Sequence, residues 1–260
     1  MTHPPIGVFD SGIGGLSILK ALRAELPNER FVYFADSAHN PYGEKPEAFV
    51  IDRSRAIAQQ LIDEHHIKAL VVACNTATAA AIHLLRAQHP GLPIIGVEPA
   101  LKPAVALSQT KRIAVLATRG TLYSAKFQTL LQSLEGQAQF ICTPCDGLAE
   151  LIERNASAQD TTNLIANYVH TTGTSRLFGT QTGEIDTLVL GCTHYPLVLP
   201  LFRAVVSDAV HIVDNGQAVA RRVKSLIQAA PLAAPGSATL RLLSSAHAQH
   251  LELAAARWLL

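Results

Sequence analysis

The chain alternates short apolar, partly β-branched runs with longer segments of helical spacing. Continuous apolar runs are typical of strands that are buried on both faces of a parallel sheet. Between two such runs, Leu19, Leu22 and Leu26 follow the i, i+3, i+7 spacing of one helix face. This alternation predicts an α/β fold with right-handed crossovers. The predicted strands are Ile6–Phe9, Phe31–Ala35, Ala69–Cys74, Ile94–Val97, Ile113–Ala117, Thr187–Cys192, His211–Val213 and Leu240–Leu243.

We interpret two pairs of segments as a diverged duplication. Lys68–Thr76 resembles Asp186–His194, because each is an apolar run that ends in a cysteine and polar residues. Earlier in each half, at Gly7–Gly12 and Ala114–Gly120, another apolar run ends in small polar residues. The alternative is that any two buried strands look alike. We expect two similar, pseudo-symmetric α/β domains with parallel central sheets and an active site in the cleft between them.

The domain boundaries follow from this interpretation. Residues 1–98 and 215–260 are predicted to form a discontinuous first domain, and residues 99–214 the second. A turn or short linker is expected at 233–237, before the last predicted strand.

Composition excludes several classes of protein. The 260 residues are 48% hydrophobic with a formal net charge of +1, which argues against a disordered chain and against binding of nucleic acid or an anionic membrane. The N-terminus lacks a signal-peptide pattern and no run of about 18 apolar residues occurs, so we expect a cytoplasmic protein without a membrane span. Four cysteines are too few for a disulfide scaffold, which leaves the thiols available for other roles.

Cys74 and Cys192 each end a predicted strand, at equivalent points of the proposed duplication. Ligands bind beyond the carboxyl ends of the strands in open α/β sheets. Each cysteine is followed by a polar pair, Asn75-Thr76 or Thr193-His194, and then by a possible helix start, where a thiolate is favoured. Either cysteine alone could be a small buried apolar residue. Together they predict two thiols that face one cleft from opposite sides.

Two loops lie near the same predicted sheet edge. Asp10–Gly15 joins a strand to a helix but matches neither the Walker pattern nor the dinucleotide-binding glycine pattern, so a carboxylate ligand fits better than a pyrophosphate. Asp10 or Ser11 could instead cap the helix. Asn40–Gly43 reads as a turn whose exposed amides could bind a carboxylate, or as an ordinary turn.

Cys142 and Cys145 form a Cys-x-x-Cys pattern. Such a pair can be redox-active or half of a zinc site, which Cys192 and His194 would have to complete. No second Cys-x-x-Cys occurs in the sequence, so we interpret the pair as incidental and expect no metal site.

Five motifs occur in order along the chain: Val8–Leu16, Pro41–Glu44, Val72–Thr76, Gly96–Pro99 and Leu190–Pro196. Together they resemble those of the glutamate racemases, within the aspartate/glutamate racemase superfamily. The resemblance extends from Ile6 to about Val223, and more loosely to the end. It implies a cofactor-independent enzyme that interconverts L- and D-glutamate and supplies D-glutamate for peptidoglycan, with a homodimer as the expected assembly.

The resemblance also implies residue roles. Cys74 would act on D-glutamate with help from Asp10, and Cys192 on L-glutamate with help from His194. Glu153 matches a further acidic residue of the family. Cys145-Asp146 stands where the family usually has Cys-Pro, so the register leaves Glu150 as a competitor. The residues that would hold the substrate's charged groups are Ser11, Tyr42, Gly43, Asn75, Thr76, Thr118, Thr121 and Thr193.

Two other functions remain open at this point. A related aspartate or hydantoin racemase would use the same thiol pair on another substrate. A non-enzymatic small-ligand binder could share the fold, but it would have no need for two opposed thiols.

Overall fold

Two parallel β-sheets with flanking helices form the described part of the chain. The computed structural model describes residues 3–172, 178–227 and 238–259, so the turn expected at 233–237 lies outside the described residues. The strands are β1 (Ile6–Asp10), β2 (Arg30–Ala35), β3 (Ala69–Val72), β4 (Ile94–Gly96), β5 (Arg112–Ala117), β6 (Gln139–Pro144), β7 (Thr187–Gly191), β8 (His211–Val213) and β9 (Thr239–Ser244). The helices are α1 (Leu16–Glu25), α2 (Glu47–His65), α3 (Asn75–Gln88), α4 (Leu101–Leu107), α5 (Arg119–Leu122), α6 (Ala125–Gln132), α7 (Leu148–Glu153), α8 (Ala158–Thr172), α9 (Leu199–Val205), α10 (Gly216–Ile227) and α11 (Ala248–Trp258).

The strand orders of the two sheets correspond. The first sheet runs β4-β3-β1-β2-β9 and the second runs β6-β5-β7-β8, and every pairing is parallel. Reading the second sheet as β8-β7-β5-β6 matches β5 with β1, β7 with β3 and β6 with β2. The prediction of a pseudo-symmetric α/β fold with two parallel sheets is therefore confirmed.

Burial explains why these runs form central strands. All five residues of β1 and all five of β7 are buried, as expected for strands that helices cover on both sides. One apolar cluster extends from Val8 of β1 through Leu19 of α1 to Leu188 of β7 and Tyr195, so the two sheets share packed apolar surface. This packing holds the carboxyl ends of both sheets in a fixed relation.

Strand β6 was not among the predicted strands. It is an edge strand that pairs only with β5 in the second sheet, and Gln139 is exposed while most of the strand is half-buried. A half-exposed edge strand carries polar residues and lacks the continuous apolar run that marks a central strand. Two predicted strands also end earlier than expected, because Cys74 and Cys192 lie beyond β3 and β7.

The C-terminal segment returns to the first sheet. β9 pairs along its whole length with β2, and α11 contacts both β9 and α1. The boundaries at residues 98, 99, 214 and 215 stay predictions. No helix in the described ranges is both long enough and apolar enough to cross a membrane.

Candidate active site

Four strand ends bring the candidate residues together. Asp10 ends β1, Cys74 follows β3, Thr118 follows β5, and Cys192 follows β7. All four side chains are buried or nearly so. The carboxyl ends of parallel strands are where α/β proteins bind ligands, so the chemistry-bearing residues of both sheets lie where a ligand is expected.

Cys74 is the N-cap residue of α3. Its Sγ accepts a hydrogen bond from the Ala77 N–H at 3.5 Å and lies 4.0 Å from the Ser11 Oγ. The side chain is 6% exposed. Burial and the nearby negative charge of Asp10 raise the pKa of Cys74, while the Ala77 N–H opposes that rise. At neutral pH this cysteine is therefore held as a thiol.

Asp10 is fully buried beside Cys74. Its Oδ2 accepts the Gly15 N–H at 2.7 Å, whereas Oδ1 has no conventional hydrogen-bond partner among the described residues. Burial raises the pKa of Asp10 to about 6, against the opposing positive charge of His194. A carboxyl group with such a pKa can exchange a proton with a neighbouring thiol near neutral pH.

Cys192, which follows the second sheet's strand β7, is linked to two further side chains. Its Sγ lies 3.8 Å from the His194 Nδ1, and the His194 Nε2 lies 2.8 Å from the Glu153 Oε2. Burial alone would lower the pKa of His194, but its hydrogen bonds to Cys192 and Glu153 hold that pKa well above the usual range. His194 is therefore an imidazolium at neutral pH, and this charge lies beside the Cys192 sulfur.

The two halves of the site lie within electrostatic reach of each other. The charges of His194 and Glu153 act on Asp10, and Cys192 contributes to the raised pKa of Cys74. The sequence predicted two thiols facing one cleft, and the structure brings both into one buried polar cluster with different partners.

The loop between β1 and α1 packs directly on the Glu153–His194 pair. The Ile13 N–H donates to the Glu153 Oε2 at 2.9 Å. A Cβ at Gly12 would lie 2.1 Å from the Glu153 Oε2, and one at Gly14 would lie 2.3 Å from the His194 Nδ1. These glycines allow the backbone to approach the charged pair, which explains a glycine-rich loop that matches no phosphate-binding pattern.

We expect Gly14→Ala to lower the catalytic activity of this site about 100-fold, because the added methyl displaces the His194 ring from Cys192 and Glu153. Gly91→Ala is the matched control, since a Cβ there meets nothing within 4 Å. Initial rates and melting temperatures of both variants check the effect. Equal activity in the two variants would show that the close approach at Gly14 does not matter.

Three threonine hydroxyls bridge the two sheets. The Thr76 Oγ1, at the start of α3, lies 2.9 Å from the Thr118 Oγ1, which in turn lies 2.9 Å from the Thr121 Oγ1. A Cβ at Gly43 would lie 2.6 Å from the Thr118 Cβ, so the turn from the first sheet packs tightly on this cluster. Hydroxyls can both donate and accept, so the cluster can re-pair with a ligand.

Tyr42 is buried, and its hydroxyl is directed into the protein. It donates to the Asp36 Oδ2 at 2.5 Å, and Arg53 donates to both carboxylate oxygens of Asp36. Although burial acts in the opposite direction, the hydrogen bonds from Arg53 and Tyr42 hold the pKa of Asp36 below its usual value. The network fixes the turn that carries Gly43. Sequence reasoning missed Asp36 and Arg53, because they lie on different elements.

The remaining predicted binding residues surround the thiols. The Ser11 Oγ accepts from the Asn40 Nδ2 at 3.2 Å. The Asn75 Nδ2 donates to the Val97 carbonyl at 3.1 Å, while its Oδ1 has no hydrogen-bond partner within the described residues. The Thr193 carbonyl accepts from the Ser17 Oγ at 2.8 Å. Ser11, Asn75 and Thr193 are all buried.

The other singled-out residues lie elsewhere. Glu150 is exposed on α7, whereas Glu153 contacts His194. Cys142 and Cys145 are free thiols, and burial raises the pKa of Cys142 to about 11. Burial also raises the pKa of Cys145. Both are thus protonated at neutral pH. Within the described ranges, no group of three or more His, Cys, Asp or Glu residues is placed to hold a metal ion.

Comparison with known proteins finds relatives over most of the chain. Residues 16–223 match the family model described as Asp/Glu/Hydantoin racemase. A glutamate racemase from Ralstonia nicotianae is 47% identical over 244 residues, which cover 93% of this chain and 84% of that protein. The solved structure of a Bacillus anthracis glutamate racemase has a TM-score of 0.85 at 28% identity, covering 100% of this chain and 95% of that one. An Escherichia coli glutamate racemase, solved with L-glutamate and the activator UDP-MurNAc-Ala, has a TM-score of 0.83 at 29% identity, covering 98% and 96%.

The fold, the paired thiols and the family match together define the class: the chain belongs to the Asp/Glu/Hydantoin racemase family. Within that family it groups with the glutamate racemases, so it is an isomerase of the amino-acid racemase type.

Proposed function

We propose that the protein interconverts L- and D-glutamate without a cofactor, using Cys74 and Cys192 on opposite faces of Cα. One observation carries the proposal. Two buried cysteines follow equivalent strands of the two sheets, and each has its own acid–base partner, Asp10 or the His194–Glu153 pair. The curated relatives named glutamate racemases, and the L-glutamate complex of the Escherichia coli protein, support glutamate as the substrate.

Racemisation at Cα needs a base on one face and an acid on the other. The Cα–H of an amino acid is a very weak acid, so each positioned group contributes about 10²–10⁴-fold and preorganised electrostatics must supply the rest. A thiolate removes the proton while a thiol returns one from the opposite side. The second thiol then holds the negative charge, so the enzyme is left in the complementary protonation state.

The partners of the two cysteines assign their resting states. Cys74 lies beside the carboxylate of Asp10, which disfavours the thiolate, so Cys74 rests as the acid. Cys192 faces the His194 imidazolium, so we assign it the complementary role of base. In this state Cys192 takes the proton of L-glutamate and Cys74 protonates the other face, which yields D-glutamate.

The substrate's charged groups would be held by hydroxyls and amides. The hydroxyls of Thr76, Thr118 and Thr121 form one cluster at the sheet ends, and the Oδ1 of Asn75 is buried nearby without a hydrogen-bond partner among the described residues. Ser11, Tyr42, Gly43 and Thr193 complete the proposed binding set, with Tyr42 acting through the position of its turn.

The cellular role follows from the product. We propose that the enzyme acts in the cytoplasm as a homodimer and supplies D-glutamate for peptidoglycan, hence for cell wall and cell shape. An aspartate or hydantoin racemase remains the alternative activity within the family.

The test is the circular dichroism of D-glutamate mixed with purified protein and no added cofactor. We expect the signal to decay to zero, and the same to happen from L-glutamate with the opposite sign. Activity on aspartate but not on glutamate would transfer the assignment to the alternative. A stable signal with every candidate amino acid would reject the enzymatic proposal.

Asp10→Asn is expected to lower the activity and to stabilise the fold. The native pKa of about 6 lies above the ordinary aspartate pKa of 3.8, so the native state binds more protons than the unfolded state between these pH values. The stability that protonated Asp10 provides is present at low pH and is lost as the pH rises through 6. Removing the charge should therefore raise the unfolding free energy by up to about 3 kcal/mol above pH 6.5, and leave it unchanged below pH 4.

Urea unfolding at pH 4 and pH 7.5 measures this difference. Asp208→Asn, at an exposed site, is the control and should alter stability at neither pH. If Asp10→Asn loses activity without any pH-dependent gain in stability, the charged form of buried Asp10 does not lower the unfolding free energy as proposed.

A further inference from the structure

The C-terminal unit, β9 and α11 (residues 239–259), lies outside the part of the chain that matches the family model, residues 16–223. β9 extends the first sheet beside β2, and α11 covers β9 and α1. Leu251, Ala254 and Ala255 form the buried face of α11. The unit is thus anchored on the first sheet, and its remaining contacts show what it does.

One face of α11 reaches the end of α7. The His250 Nε2 lies 2.9 Å from the Glu153 carbonyl oxygen. Further along the same helix, Arg257 donates to the side chain of Asn155. Glu153 is the last residue of α7, and the carbonyls of a last helical turn lack partners within the helix. His250 supplies a donor to one of these carbonyls, which requires its proton on Nε2.

Elements that lead from the first sheet also hold the Glu153 side chain. Its Oε2 accepts from the Ile13 N–H at 2.9 Å, and its Oε1 lies 3.4 Å from the Ser37 Oγ. The same C-terminal unit contacts the segment that carries Ser37, because the Ser245 Oγ accepts from the Ala38 N–H at 3.1 Å. Glu153 is therefore held by its side chain and by its backbone, and the C-terminal unit contributes to both.

We propose that His250 is a positioning residue, which acts through the Glu153 backbone to keep the Glu153 carboxylate on His194 and thereby His194 on Cys192. The inference rests on the proposed function, because it concerns the acid–base partner of one catalytic thiol. Loss of the His250 donor frees the end of α7, and the 2.8 Å contact between Glu153 and His194 lengthens. A small displacement at a reacting group has a large effect on rate.

Loss of the His250 donor should lower the pKa of His194. Glu153 is one of the groups that raise the pKa of His194, so a displaced Glu153 lets that pKa fall. The groups that act on His194 come from several elements: Cys192 beside it in the chain, Glu153 on α7 and Asp10 on β1. Of these three groups, Glu153 is the one whose backbone His250 contacts. The change should therefore appear on the Cys192 side, while the Cys74–Asp10 pair keeps its state.

The experiment compares three variants in the full-length protein. His250→Ala removes the donor, His250→Gln keeps an N–H that can reach the same carbonyl, and His247→Ala is the control. His247 is the N-cap residue of the same helix and makes no side-chain capping hydrogen bond. We expect His250→Ala to lower kcat about three- to tenfold with KM nearly unchanged, His250→Gln to retain most of the activity, and His247→Ala to equal the wild type.

The readout that separates positioning from stability is the His194 ring titration, followed by NMR. It should shift to lower pH in His250→Ala alone, at equal melting temperatures. Unshifted titration in His250→Ala, or a His250→Gln variant as impaired as His250→Ala, would overturn the proposal. The titration needs no substrate, so failure of this inference is distinguishable from failure of the proposed function, which wild-type inactivity on glutamate would reveal.

Discussion

Replacing either Cys74 or Cys192 by serine is expected to lower kcat/KM for glutamate racemisation by about 10³-fold or more. Serine keeps the size and the polarity of the side chain, but its hydroxyl is a far weaker acid than a thiol, so it can hardly become the base. Both positions are buried, which makes replacement of the lost group by water unfavourable. Polarimetry or circular dichroism of both enantiomers measures the effect.

A matched control makes this test specific to the two thiols. L- and D-glutamate have equal free energies, so kcat/KM must fall by the same factor in both directions in any variant, which checks the measurement itself. Cys142→Ser is the matched control, because this half-buried thiol lies on the edge strand β6 and should leave the rate unchanged. Racemisation at the wild-type rate in either single variant would show that the thiol concerned is neither acid nor base.

Glu153→Gln is expected to lower kcat about 100-fold. The substitution keeps a side-chain oxygen for the Ile13 N–H but removes the charge that faces His194. Because Glu153 helps to hold the pKa of His194 above its usual range, His194 should lose its proton at a lower pH in the variant. The variant then lacks the positive charge beside Cys192, the proposed base, as the pH rises, so its activity falls earlier.

Glu150→Gln on the same helix is the matched control, since Glu150 is exposed. The pH dependence of kcat for the two variants distinguishes them: only Glu153→Gln should lose activity earlier on the alkaline side. Should Glu150→Gln show the greater loss, the accessory acid would be Glu150 and the hydrogen bond at Glu153 would have no catalytic part.

Local patterns in the sequence predicted the framework of the site. Continuous apolar runs marked the central strands, and Cys74 and Cys192 could be placed because each follows such a run directly. The matching strand orders of the two sheets explain why a duplication was visible at these two points. Residues at the carboxyl ends of parallel strands converge by geometry alone, so their proximity could be predicted.

Contacts between distant elements could not be predicted in the same way. The hydrogen bond from Ile13 to Glu153 joins residues 140 positions apart, and the contact from His250 to Glu153 spans 97 positions. Such pairs depend on how the sheets and helices pack, which no local pattern encodes. The glycines at 12 and 14 were the available signal, because a backbone that must approach another group closely needs glycine.

The most direct test of the two-thiol account is deuterium incorporation at Cα during the conversion of L-glutamate in D₂O. If Cys192 removes the proton and Cys74 delivers another from the opposite face, D-glutamate formed early carries deuterium while the remaining L-glutamate stays protiated. NMR or mass spectrometry of the separated enantiomers at low conversion gives both values. D-glutamate that retains the original proton would mean that one group serves both faces, and would contradict the account.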